Sequence, residues 1–194
     1  MTRLLVGSIA AAIVMYILGF LLFATPLSML AYGSATPEAN LAIQAALKAN
    51  LPATGTYIVP MPLDAAGMAA YEAGPIATVH YNSGGFLTFS PGTMIGGFIH
   101  MLLAALLFAF ALGAIKDRTP LFADRARMVV LVAVSTSLYM HLGQPIWSHL
   151  GWPHFIYLFI ADAIIFASGG LVLARWFLPA SEVAARDPRL DGGI

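Results

Sequence analysis

Four long apolar blocks, Leu4 to Ala24, Thr93 to Ile115, Met128 to Trp147 and His154 to Leu178, dominate this chain of 194 residues. Each is close to the roughly 20 residues that an α-helix needs to cross roughly 30 Å of hydrocarbon. A soluble domain cannot hide four such segments when 60% of its residues are hydrophobic and only 9% are charged. The fold class expected is therefore an all-α membrane protein: a four-helix transmembrane bundle with a small extracytoplasmic α/β cap between spans 1 and 2. The divisions expected are 1–24 for the first span, 25–92 for the cap, 93–178 for spans 2 to 4 with a cytoplasmic loop at 116–127, and 179–194 for a disordered tail.

The cations set an orientation. Of the nine Lys and Arg residues, Arg3, Lys116, Arg118, Arg125, Arg127, Arg175, Arg186 and Arg189 share one side of the blocks, and only Lys48 falls on the other. By the positive-inside rule both termini are cytoplasmic, as in a multi-pass protein of a bacterial inner (plasma) membrane. Trp147 and Trp152 bracket the short outer turn and Trp176 sits at the inner end of the last block, where an aromatic belt would put them. Gly33-Ser34-Ala35 has the small residues of a signal-peptidase site, but the apolar run before it is longer than a usual signal core, so the first span is expected to be retained. With no cysteine, the outer segment has no disulfide framework and the chain no thiol redox chemistry.

The outer segment has its own local signals. After Thr25-Pro26 a loop is expected through Ala35, and then Thr36-Pro37-Glu38 opens a helix to about Ala49. There the hydroxyl caps, the proline occupies a position whose N–H would be unpaired anyway, and the acid favours the helix dipole. Thr56 to Val59 reads as a strand stopped by Pro60; Asp64 caps a second helix to about Glu72, and Ala77 to Tyr81 reads as a second strand. A segment of this size, with few large apolar side chains, is too small for a comfortable core and is expected to rest on the outer helix ends.

Within the spans, His100, His141, Asp162 and Tyr16 come to a similar depth, very roughly 10 to 14 Å below the outer surface at 1.5 Å per residue. Gly92, Gly96, His100 and Ala104 recur at i+4, as do Ser8, Ala12 and Tyr16 with Gly19 nearby, and Asp162 shares a face with Gly169. Small residues mark close helix contact in membranes, so these polar groups are expected to face the bundle interior. An ionisable group at that depth costs about 2.5 to 3.5 kcal/mol on insertion scales, and it is commonly paired or functional.

Several uses of this polar centre stay open. Asp162 bonded to His100, His141 or Tyr16 would pin the helices in register. His100 and His141 could supply both axial ligands of a haem b. A metal nearer the surface could use His149, His154 and His80, with Met61 or Met68, although His149 and His154 flank a turn and are not fixed on one helical face. Ion translocation through Asp162 would require oligomers to build a path. The aromatic residues Phe86, Phe89, Trp147 and Trp152 are compatible with a lipid or quinone site as well as with interface anchoring. Ser83-Gly84-Gly85 lacks the strand-turn-helix frame of a nucleophile elbow, and no glycine run follows a strand to cradle phosphate.

Gly55-x-Tyr57-x-x-Pro60, Gly74-Pro75 before a strand, and an aromatic turn followed by Asp162 in the last span resemble an uncharacterised family of small four-span proteobacterial inner-membrane proteins. The resemblance implies the architecture and adds no catalytic residue. The function expected is that of a non-enzymatic membrane accessory protein, without cofactor or nucleic acid. It would act on a membrane or periplasmic partner through its cap and bundle surface, and homo-oligomers are compatible with it. The alternatives are a haem b- or metal-binding electron-transfer protein and a lipid- or quinone-binding protein.

Overall fold

The computed structural model describes residues 2–178, so the expected tail at 179–194 lies outside the described residues. Four helices are long and apolar enough to cross a membrane: α1 (Thr2–Phe23), α4 (Pro91–Ala114), α5 (Phe122–Trp147) and α6 (Trp152–Val172), the last continued by a π-helical turn over Leu173–Phe177. Between α1 and α4 come a 3-10 turn (Pro26–Ala31), α2 (Pro37–Asn50), β1 (Gly55–Val59), α3 (Ala65–Ala73) and β2 (Ala77–Tyr81). The chain divides into two compact units, a helical one that takes in residues before Gly33 and after Ser90, and an α/β one over Gly33–Ser90.

In the helical unit α6 is central. It packs along α5 on one side and α1 on the other, while α4 packs chiefly along α1. The core consists largely of small side chains, Ala11, Ala12, Ala105, Ala109 and Ala174, with Met15, Val129, Ile165 and Leu173 filling between them. Small residues let helix backbones approach closely. Gly169 and Gly170 are where this matters most: a Cβ on Gly169 would come within 2.5 Å of Met15 Sδ, and one on Gly170 within 2.6 Å of Val129 Cγ1.

Helix α5 begins six residues before the expected block, because its first turns carry charge and read as loop. Arg125 in those turns is buried, and its Nε donates to Thr119 O at 2.6 Å and its Nη2 to Lys116 O at 3.5 Å. The guanidinium thus closes the α4–α5 connection by satisfying its carbonyls. Pro145 lies inside the last turns of α5. Arg3 Nη2 donates to Trp176 O at 2.9 Å, and Arg175 lies 5.4 Å from the centre of the Phe122 ring.

The α/β unit is built from local signals. Thr36 Oγ1 accepts from Ala39 N at 3.2 Å and Asp64 Oδ1 from Gly67 N at 2.7 Å, so both helices start at hydrogen-bonded caps. The two strands pair antiparallel with Tyr57 opposite Val79. Thr54 Oγ1 lies 3.0 Å from Ser83 Oγ and accepts from Ser83 N at 3.1 Å, joining the loop before β1 to the turn after β2. No residue of Gly33–Ser90 is buried.

Candidate functional sites of the helical unit

The stripe of α5 that faces α6 runs Arg125, Val129, Ala133, Ser137, His141, Pro145, one residue per turn and a little over. Two of its three polar members, Ser137 and His141, find a partner on α6. Ser137 Oγ donates to Phe159 O at 2.8 Å, and His141 Nε2 meets Asp162 Oδ2 at 2.6 Å. The side chains of His141 and Asp162 are 14% and 29% exposed, so the pair sits at the edge of the packed seam instead of its middle. At that separation it is a short hydrogen bond linking two neighbouring helices.

The other members of the expected polar layer lie elsewhere. Tyr16 OH donates to Met94 O at 3.1 Å, and its ring meets Phe98 edge-on at 5.8 Å, which ties α1 to the first turns of α4. His100 is exposed, and with Gly92 and Gly96 it lies on a side of α4 turned away from the core. The stripe that α4 buries is one position on: Ala105, Ala109 and Leu112, with Met101 packed against them. The buried stripe is therefore one residue out of phase with the i+4 spacing of small residues, a rotation of about 100°. His100 instead lines a groove of about 250 Å³ between α1 and α4, together with Tyr16, Gly19, Phe20, Phe23 and Gly97.

The three histidines considered for a surface metal have separate surroundings. His154 Nδ1 lies 3.0 Å from Ala31 O, and its ring packs on Tyr32 at 5.4 Å. His149 sits in the turn after α5 with a positive φ of 54°. His80 Nδ1 lies 3.1 Å from Thr56 Oγ1 across the two strands of the other unit. Among the described residues no three His, Asp or Glu side chains are grouped so that they could hold a metal ion.

Three polar anchors were not singled out in the sequence: Tyr157, whose OH donates to Leu22 O, and the residues Ser137 and Arg125 described above. Tyr157 follows His154 by three residues, so both ring edges tie the start of α6 to the chain that leaves α1. Among the described residues, every buried side-chain nitrogen and oxygen has a hydrogen-bond partner. Comparison with models of known families, with curated proteins and with solved structures finds no match.

Proposed function

We propose that this is an integral, non-enzymatic accessory protein of a bacterial inner membrane, with cytoplasmic termini, whose outer α/β unit docks on a membrane or periplasmic protein. The observation that carries the reading is the absence of a core in that unit. Gly33–Ser90 has hydrogen-bonded caps and a paired hairpin, yet no buried residue, while Leu63 is 83% exposed, Phe86 78% and Phe89 69%. Elements whose apolar side chains stay open gain their stability from whatever covers them, and contiguous exposed apolar surface marks an interaction site.

Helix α5 supports a second contact, inside the membrane. It is the least apolar of the four long helices, and its side away from α6 carries Tyr139, Gly143 and Trp147. Tyr139 is 85% exposed and Trp147 84%, beside a groove of about 430 Å³ that Gly143 and Gln144 also line. Hydroxyl and amide groups on a helix face promote helix association in lipid. The distribution of cations supports the orientation, and the His141–Asp162 bond supports a structural role for the polar centre, because it joins α5 to the helix on which the bundle rests.

The test is site-specific photocrosslinking in intact cells, with benzoyl-phenylalanine placed in turn at Leu63, Phe89, Tyr139 and Leu107. Leu107 is 72% exposed on α4 and serves as a lipid-facing control. The expected result is one discrete protein adduct from Leu63 or Phe89, with none from Leu107. Labelling of lipid alone from all four positions would sink the docking reading.

A further inference from the structure

We infer that the groove between α1 and α4 is a binding site for a membrane quinone or quinol, with His100 holding the ring headgroup. The inference rests on the membrane placement proposed above and is independent of the partner.

Each wall of the groove narrows the ligand. Phe20 and Phe23 of α1, with Tyr16 below them, make one side aromatic and apolar. Gly97 leaves the floor open: a Cβ there would meet only the edge of Tyr16, at 3.6 Å. Tyr16 spends its hydroxyl proton on Met94 O, so it is not available to a guest. His100 is different. Among the described residues its imidazole has no hydrogen-bond partner, it is exposed, and it lines the groove.

Depth decides among membrane molecules. His100 is nine residues along α4 from Pro91, or about 13 Å from that end of the helix at 1.5 Å per residue. A phosphate or other strongly hydrated headgroup stays at the interface, because an unpaired charge in hydrocarbon is expensive. The guest that His100 meets must therefore be mostly apolar and carry an uncharged hydrogen-bonding group. A neutral imidazole offers one N–H and one lone pair, so it can donate to a quinone carbonyl or accept from a quinol hydroxyl. At about 250 Å³ the groove is smaller than the roughly 300 to 1,000 Å³ of sites that enclose a whole drug-sized ligand. It fits one substituted ring, with an isoprenoid tail left lying along the outer surfaces of α1 and α4.

The experiment is equilibrium dialysis of the full-length protein in detergent against a dimethoxy-methyl-benzoquinone bearing a decyl tail, with carbonate extraction of membranes run in parallel. Carbonate-resistant retention reports membrane integration by itself, so its failure is separable from failure of the site. Saturable binding of one quinone per chain is expected, about tenfold weaker in His100→Leu, within about threefold of wild type in His100→Gln, and unchanged in His141→Leu. Gly97→Leu, which fills the groove, should abolish it.

Absence of saturable binding, or wild-type binding by both His100→Leu and Gly97→Leu, would overturn the inference. Equal displacement by decanol would also do so, by reducing the groove to a site for any alkyl chain. Because the chain has no cysteine, Gly97→Cys gives a single thiol. Its efficient oxidation to a disulfide-linked dimer in membranes would show a second copy covering the groove, and would overturn the inference as well.

Discussion

The helical unit and the α/β unit reach order by opposite routes. In the helical unit local signals are weak, since α1, α4 and α6 are apolar nearly all round, and the fit of small residues at crossings sets which sides meet. In Gly33–Ser90 local signals are strong, with a capped start to each helix and a hairpin in register, but nothing is buried. The first unit specifies itself through packing, whereas the second specifies its backbone through caps and strand pairing. Volume changes should therefore be felt in the first and much less in the second, Gly67 excepted, where an added Cβ would collide with Met61 O.

The largest expected effect tests that contrast directly. Gly170→Leu, whose side chain would collide with Val129 and Phe108, should destabilise the helical unit by about 3 kcal/mol in reversible detergent unfolding. The exposed Leu63→Ser should change the same transition by less than about 0.5 kcal/mol. Comparable losses from both would erase the distinction between the units.

A smaller effect is expected at the polar seam. Asp162→Ala should cost about 1 to 2 kcal/mol, the upper range for hydrogen bonds between membrane helices. A double-mutant cycle with His141→Ala should return most of that as coupling. Strict additivity would show that the 2.6 Å contact contributes no stability. Within the α/β unit, Thr36→Ala should loosen α2 by about 1 kcal/mol. That loss should appear as roughly fivefold faster amide exchange over Pro37–Asn50, with no shift in the unfolding of the bundle.

The smallest expected effect is none. With His141 Nε2 held by Asp162 and His100 in the α1/α4 groove, protein purified after expression with haem precursor should show no Soret band. A reduced spectrum with sharp α and β bands, lost in both His100→Ala and His141→Ala, would restore the haem reading.

How much was legible depended on whether the controlling signal was local. Thr36, Asp64 and the β-branched runs act within a few residues, and the caps and the strand Ala77–Tyr81 followed from them. The same Thr-Pro pattern at Thr25-Pro26 starts the 3-10 turn, with Thr25 Oγ1 accepting from Leu27 N, although a loop was expected there. Depth along a helix is also local, because it is a count of residues. Azimuth is not: the stripe through His100 and the buried stripe one position on both carry glycine and alanine, and only the neighbouring helix decides between them. In the sequence Arg125 marks topology alone; its burial depends on carbonyls of a connection whose path the sequence does not state.

The centrality of α6 has a consequence for how the protein is made. Contacts such as Tyr157 with Leu22 and Arg3 with Trp176 join residues 135 and 173 positions apart. At roughly 5 to 20 residues per second, α1 leaves the ribosome about 8 to 30 s before the end of α6. Once α4 has followed it can pair with α1, but the flank of α1 that α6 will cover, with Ala11 and Met15, stays open until α6 is made. A ribosome paused within α5 would thus hold a half-built bundle, with α1 and α4 paired and the helix that joins them to α5 still to come.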